Sequence, residues 1–235
     1  MKWVAVAAVA LIAGCGGNDD QIVVSAASSL SKPLTACSKQ FDGATVRLSF
    51  AGSDELAAQI RKGVKPDVYA AANTTLPDQL AREGLLKNPV TFATNELIIA
   101  RPEGSRIAAI GDLAKPRVKV VIGAEAVPVG TYTREVLSHL PTAEEHRIMA
   151  NVRSQEPDVK GVVGKLTQGA ADGGFVYRTD LVAGLRAVAL PHDLQPVVEY
   201  GAGVVKASDP AQRYLDGLTH GACADALRSA GFGAP

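Results

Sequence analysis

At 235 residues, 47% hydrophobic and 20% charged, the chain can hold one large domain or two small ones around a sizeable core. Its 24 Lys plus Arg balance 24 Asp plus Glu, so the formal net charge is zero. That excludes a basic nucleic-acid surface, a polybasic membrane patch and long-range steering of anions, and any ionic ligand must be handled by local groups.

Lys2 supplies a minimal positive start, and Trp3 to Ala13 is an apolar run too short to span a bilayer. Leu11-Ile12-Ala13-Gly14-Cys15, which closes it, resembles the lipobox of bacterial lipoproteins. The resemblance implies a signal peptide over 1–14, lipidation of Cys15, and anchoring to a membrane in the periplasm or at the cell surface. A plain signal peptide or a buried strand are the alternatives, and Gly16 to Asp20 reads as a flexible tether, not a strand. With Cys15 lipidated, Cys37 and Cys223 are left as an even pair in an exported, oxidising compartment. They form either a disulfide or two buried thiols that pack as small hydrophobes.

From Ile22 onward, β-rich runs alternate with amphipathic helical stretches. "IVVSAA" precedes a helix from about Ser29; "TVRLSF" precedes one from about Ser53 that ends at Gly63; "DVYAAA" closes the unit. "NELIIARP" (95–102) reads as a strand leaving it. "KVVIG" (119–123) opens a second unit that runs through "YTREVLSHL" and "DGGFVY", and "VVEYGAGVVKAS" (197–208) returns. This grammar predicts α/β architecture in two lobes, each a mostly parallel sheet flanked by helices. The chain crosses between them twice, with residues 21–98 and 199–235 in the first lobe and 99–198 in the second.

Four strand-to-helix corners carry small or polar residues: Ser28-Ser29, "FAGSDEL", "AVPVGTYTREVL" and "EPDVKGVVGKL". Gly52 permits a tight turn with Ser53 as N-cap, a helix starts at about Thr131, and Pro157 fits a first helical turn. Helix N-termini offer unpaired N–H donors and a partial positive potential, so several converging ones suit an anion without lysine or arginine. A serine at any one corner is ordinarily just a cap, and only convergence gives the set a ligand. In an open α/β sheet, ligands sit beyond the carboxyl ends of the strands, which puts Ser29 and Ser53 on one rim.

"SAASSL", "SFAGSDELAAQIRKGVKPDVYAAAN", "VPVGTYTREVL" and "DVKGVVGKLTQGAADGGFVY" together resemble, in order and spacing, the periplasmic molybdate-binding proteins of ABC importers. The resemblance spans residues 22–233 and implies a type II periplasmic-binding-protein fold that captures molybdate or tungstate for an ABC permease. It implies a monomer with no catalysis, no cofactor and no metal held by side chains. By position, Ser29 and Ser53 match the serines that grip the oxyanion, Val129 and Val159 match backbone N–H donors, and Tyr177 matches a hydroxyl that completes the shell. Ser28 is the rival to Ser29. Asp54 and Glu55 depart from the pattern and are expected to face solvent; Arg178 is expected to be surface charge; "EYGAG" lacks a proline common in the family's return strand.

Other readings are a sulfate-type oxyanion binder, a metal-cation relative and a serine hydrolase built on Ser29. The hydrolase lacks G-x-S-x-G, and His139, His146, His192 and His220 lie outside any evident triad spacing. A cation site lacks clustered histidines or adjacent tyrosines.

Overall fold

The computed structural model describes residues 21–235, so the expected signal peptide, the expected tether and Cys15 lie outside the described residues. The first unit runs β1 (Gln21–Ala27), a 3-10 turn (Ser28–Leu30), α1 (Ser31–Ser38), β2 (Thr45–Ala51), α2 (Ser53–Arg61), β3 (Val68–Ala71), α3 (Thr75–Arg82) and β4 (Lys87–Asn95). The second runs β5 (Leu97–Pro102), β6 (Val120–Gly123), α4 (Pro128–Ser138), α5 (Thr142–Ala150), β7 (Val152–Glu156), α6 (Val159–Thr167), β8 (Gly173–Tyr177) and β9 (Leu185–Ala189). The chain returns through β10 (Val198–Val204) to α7 (Asp209–Thr219) and α8 (Ala222–Ser229).

Two five-stranded sheets result, ordered β2-β1-β3-β10-β4 and β7-β6-β8-β5-β9. In each, four strands run one way and one runs against them: β10 is antiparallel to β3 and β4, and β5 is antiparallel to β8 and β9. The reversed strand is in both cases the one that has just crossed from the other sheet. Parallel neighbours need helical crossovers that cover the sheet faces, so the central strands β3, β6 and β8 are buried throughout and β1 at all but Gln21 and Val23.

The crossings fall at Glu96 and within residues 190–197. Leu97 and Ile98, given above to the first lobe, pair with Tyr177 and Val176 and so belong to the second sheet. Residues 190–197 connect the sheets, and Val198, given above to the second lobe, pairs with Asn95 in the first sheet. The termini of the first lobe are stapled: Cys37 on α1 and Cys223 on α8 are joined by a disulfide, Cα to Cα 4.7 Å.

Three helix starts differ from the sequence expectation. Gly52 is the N-cap of α2 and Ser53 its first helical residue. Helix α4 begins at Pro128, three residues before Thr131, because proline suits the first helical position. Pro157 lies before α6, whose N-cap is Asp158, accepting from Gly161 N at 2.9 Å. An aspartate that satisfies a free N–H outcompetes a proline that needs none.

Candidate functional site

The corners after β1, β2, β6 and β7 face one another across the two sheets, and one cavity lies between them. Ser29, Ser53, Val129, Val159 and Tyr177 all line it, and none is more than 5% exposed. Ser28, Gly52, Pro128 and Asp158 complete much of the wall. The space open to a water's centre is about 10 Å³, roughly one water's worth. Organic ligands need roughly 300 Å³ or more, so a space this small suits a compact ion.

On the first wall, each serine oxygen already accepts a hydrogen bond. Ser53 Oγ accepts from Ala72 N at 3.1 Å, while its carbonyl accepts from the buried Tyr69 hydroxyl at 2.7 Å. Ser29 Oγ accepts from the Tyr200 hydroxyl at 3.1 Å. With a lone pair engaged, each serine has its own proton free to point into the cavity. Ser28 lines the same space, but of the two it is Ser29 that a side chain holds.

On the second wall, Val129 and Val159 occupy the first turns of α4 and α6, where backbone N–H groups lack intrahelical partners. Helix α4 gets this close because residue 130 is glycine: a Cβ there would lie 1.9 Å from the Ala124 carbonyl. Tyr177 ends β8 with its hydroxyl buried and without any partner. Burial pushes that phenol well above its ordinary pKa, with Tyr200 and Tyr132 nearby adding to the shift, so it is a neutral donor. An unpaired buried hydroxyl costs about 1–3 kcal/mol, which a guest would recover.

Among the described residues no lysine, arginine or histidine lines the cavity, and the one charged lining residue is Asp158, whose Oδ1 is committed to the α6 cap. Among the described residues no group of three or more His, Cys, Asp or Glu is placed to hold a metal ion. The walls meet closely, since a Cβ on Gly52 would come within 2.5 Å of the Pro157 carbonyl.

Asp54 departs from its expected solvent position: Oδ1 is buried and unpaired beside that contact. As the second residue of α2 it is drawn back towards the helix N-terminus, and the opposite wall covers it. Glu55 is exposed and accepts from Gln59 at 3.1 Å. Arg178 is exposed and pairs with Glu96 at the first crossing, a surface ion pair. Buried Asp180, on the turn after Tyr177, pairs with Lys160 at 2.7 Å and ties α6 to the end of β8. Desolvation raises its pKa, and Lys160 opposes the shift. Sequence reasoning missed Tyr200, Ala72 N and Asp158; the Asp-Val-Lys-Gly spacing of a cap was the one legible signal among them.

A two-lobed α/β molecule with its cleft ringed by helix N-termini and hydroxyls is a solute-binding protein of the type II class. Its residues 22–233 match the model of the bacterial extracellular solute-binding proteins, and the chain belongs to that family. It is 32% identical, over the whole of both chains, to the molybdate-binding protein ModA of Mycobacterium tuberculosis. The Escherichia coli ModA is 27% identical over 98% of each chain. The solved periplasmic molybdate-binding protein of Azotobacter vinelandii shares the fold, with TM-score 0.78 and 20% identity over 91% of this chain and 99% of that one.

Proposed function

We propose that this protein is the capture component of an ABC importer and that its cargo is molybdate, with tungstate as a close competitor. The observation that carries the reading is the Tyr177 hydroxyl, buried and unpaired, aimed into a cavity with two pre-oriented serine hydroxyls opposite. Two walls of neutral donors with no cation between them suit a dianion that is taken up and released intact. The likeness to the ModA proteins supports molybdate as its identity.

The protein closes about its two crossings, binds without turnover and requires no resident cofactor. Catalysis by Ser29 has no support in its surroundings, because its oxygen accepts from a tyrosine and, among the described residues, no histidine lines the cavity. The Leu11 to Cys15 stretch supports an exported, lipid-anchored chain, and the likeness to the ModA proteins supports a membrane permease that receives the cargo. A thermal-shift panel tests the assignment, since a guest that binds only the folded form stabilises it by about 4 kcal/mol at a thousandfold excess over Kd. Molybdate and tungstate should raise the melting temperature, with sulfate and phosphate doing little and ferric iron nothing. A rise with ferric iron or sulfate alone would contradict the assignment.

A further inference from the structure

Hydrogen bonds link the serine side of the cavity to both crossings. Asn95 is the last residue of β4, directly before the first crossing, and its Oδ1 accepts from Glu96 N at 2.9 Å, which orients the amide. Its Nδ2 donates in two directions, to Thr179 Oγ1 at 2.8 Å and to the Tyr200 hydroxyl at 3.4 Å. Thr179 stands two residues after Tyr177 on the second-lobe turn Arg178–Asp180. Tyr200 stands in β10, just past the second crossing, and its hydroxyl donates to Ser29 Oγ.

The Tyr200 ring has no freedom to swing. It is fully buried and meets Phe232, Tyr177 and Phe92 edge-on at centroid distances of 5.2, 5.8 and 6.1 Å. We propose that Asn95 and Tyr200 are positioning residues that couple lobe closure to the direction of the Ser29 hydroxyl. Thr179 rides with Tyr177, so the second lobe brings to Asn95 an acceptor and to the cavity a donor in one movement. Asn95 then holds the Tyr200 oxygen as an acceptor, Tyr200 donates to Ser29, and the Ser29 proton is left for the guest. Separation of the lobes takes Thr179 from Asn95 and loosens the chain at its far end. Ser29 therefore donates best when the cleft is shut.

This inference rests on the anion reading of the cavity, and titration calorimetry with molybdate on the full chain separates the two. Tyr200→Phe should weaken binding about five- to tenfold, the scale of one net hydrogen bond, and Thr179→Val about two- to fivefold. In a Ser29→Ala background Tyr200→Phe should change affinity less than twofold, because its only route to the guest is gone. A purely structural role for Tyr200 would instead give the same loss with or without Ser29. The relay is overturned if Tyr200→Phe binds within twofold of the unaltered protein, or if its effect persists undiminished in Ser29→Ala. Thr179 is only half-buried, so its variant keeps the test valid should Tyr200→Phe fold poorly. If the unaltered protein takes up no molybdate, the anion reading falls and this inference with it. If molybdate binds and Tyr177→Phe weakens it while Tyr200→Phe and Thr179→Val do not, the relay alone falls.

Discussion

The two walls of the cavity are built on opposite principles. On the first, the Ser53 oxygen is held by Ala72 N from within its own lobe, and the Ser29 oxygen by Tyr200, most firmly with the cleft shut. On the second, Tyr177 presents a hydroxyl with nothing to bond. The first wall is preorganised and contributes its donors at little ordering cost, whereas the second gains a missing bond only when the guest is present. Affinity and stability should therefore respond differently on the two sides.

The first wall also belongs to the stapled lobe. Breaking the Cys37–Cys223 link, which closes a loop of sequence separation 186, should lower folding stability by about 2–5 kcal/mol. Chemical denaturation of Cys223→Ser checks it, and an unchanged midpoint would deny the staple any part in setting the first wall.

Ser53→Ala should be the costliest site change, because it removes a donor to the guest and strands the buried Ala72 N–H. Binding should fall about ten- to a hundredfold, and the ligand-free melting temperature should fall as well. Tyr177→Phe should weaken molybdate binding about five- to a hundredfold while the ligand-free melting temperature does not fall, since the group removed had no partner. Equal stability losses for the two variants would erase the contrast between the walls.

The phenols sharpen the comparison through pH. Burial raises Tyr177 and Tyr200 well above the ordinary 10.0, so both stay protonated donors and affinity should hold flat to about pH 9. The folded chain keeps protons there that the unfolded chain gives up near pH 10, so stability should fall as pH rises beyond that point. Melting temperatures from pH 8 to 11 read this directly, and a melting temperature that rises through that interval would be the wrong sign. The smallest effect belongs to Arg178→Ala: its exposed pair with Glu96 should contribute less than about 1 kcal/mol, with affinity within twofold.

Much of this arrangement was legible. The apolar runs at 22–27, 68–71, 120–123 and 173–177 declare central strands, and Ser28 after β1 and Gly52-Ser53 after β2 declare turns into helices. The strands β4, β7 and β9 were not legible, because each carries exposed polar or charged positions that blur the pattern, as in "VRSQE" and "LRAVA". The Ser53 hydroxyl turned out to be spoken for by Ala72, 19 residues away, a contact local capping rules cannot see. Tyr200 looks like any strand aromatic until the two crossings lie side by side, and the Asp54 Oδ1 atom is buried near a wall 103 positions further along, at Pro157.

A crystal structure of the protein with molybdate tests the central claim most directly. The account predicts an anion between the walls with oxygens about 2.7–3.1 Å from Ser29 Oγ, Ser53 Oγ, the Tyr177 hydroxyl and the Val129 and Val159 amides. An anion held instead by lysine, arginine or a metal ion, or a Tyr177 hydroxyl turned away from it, would contradict the account.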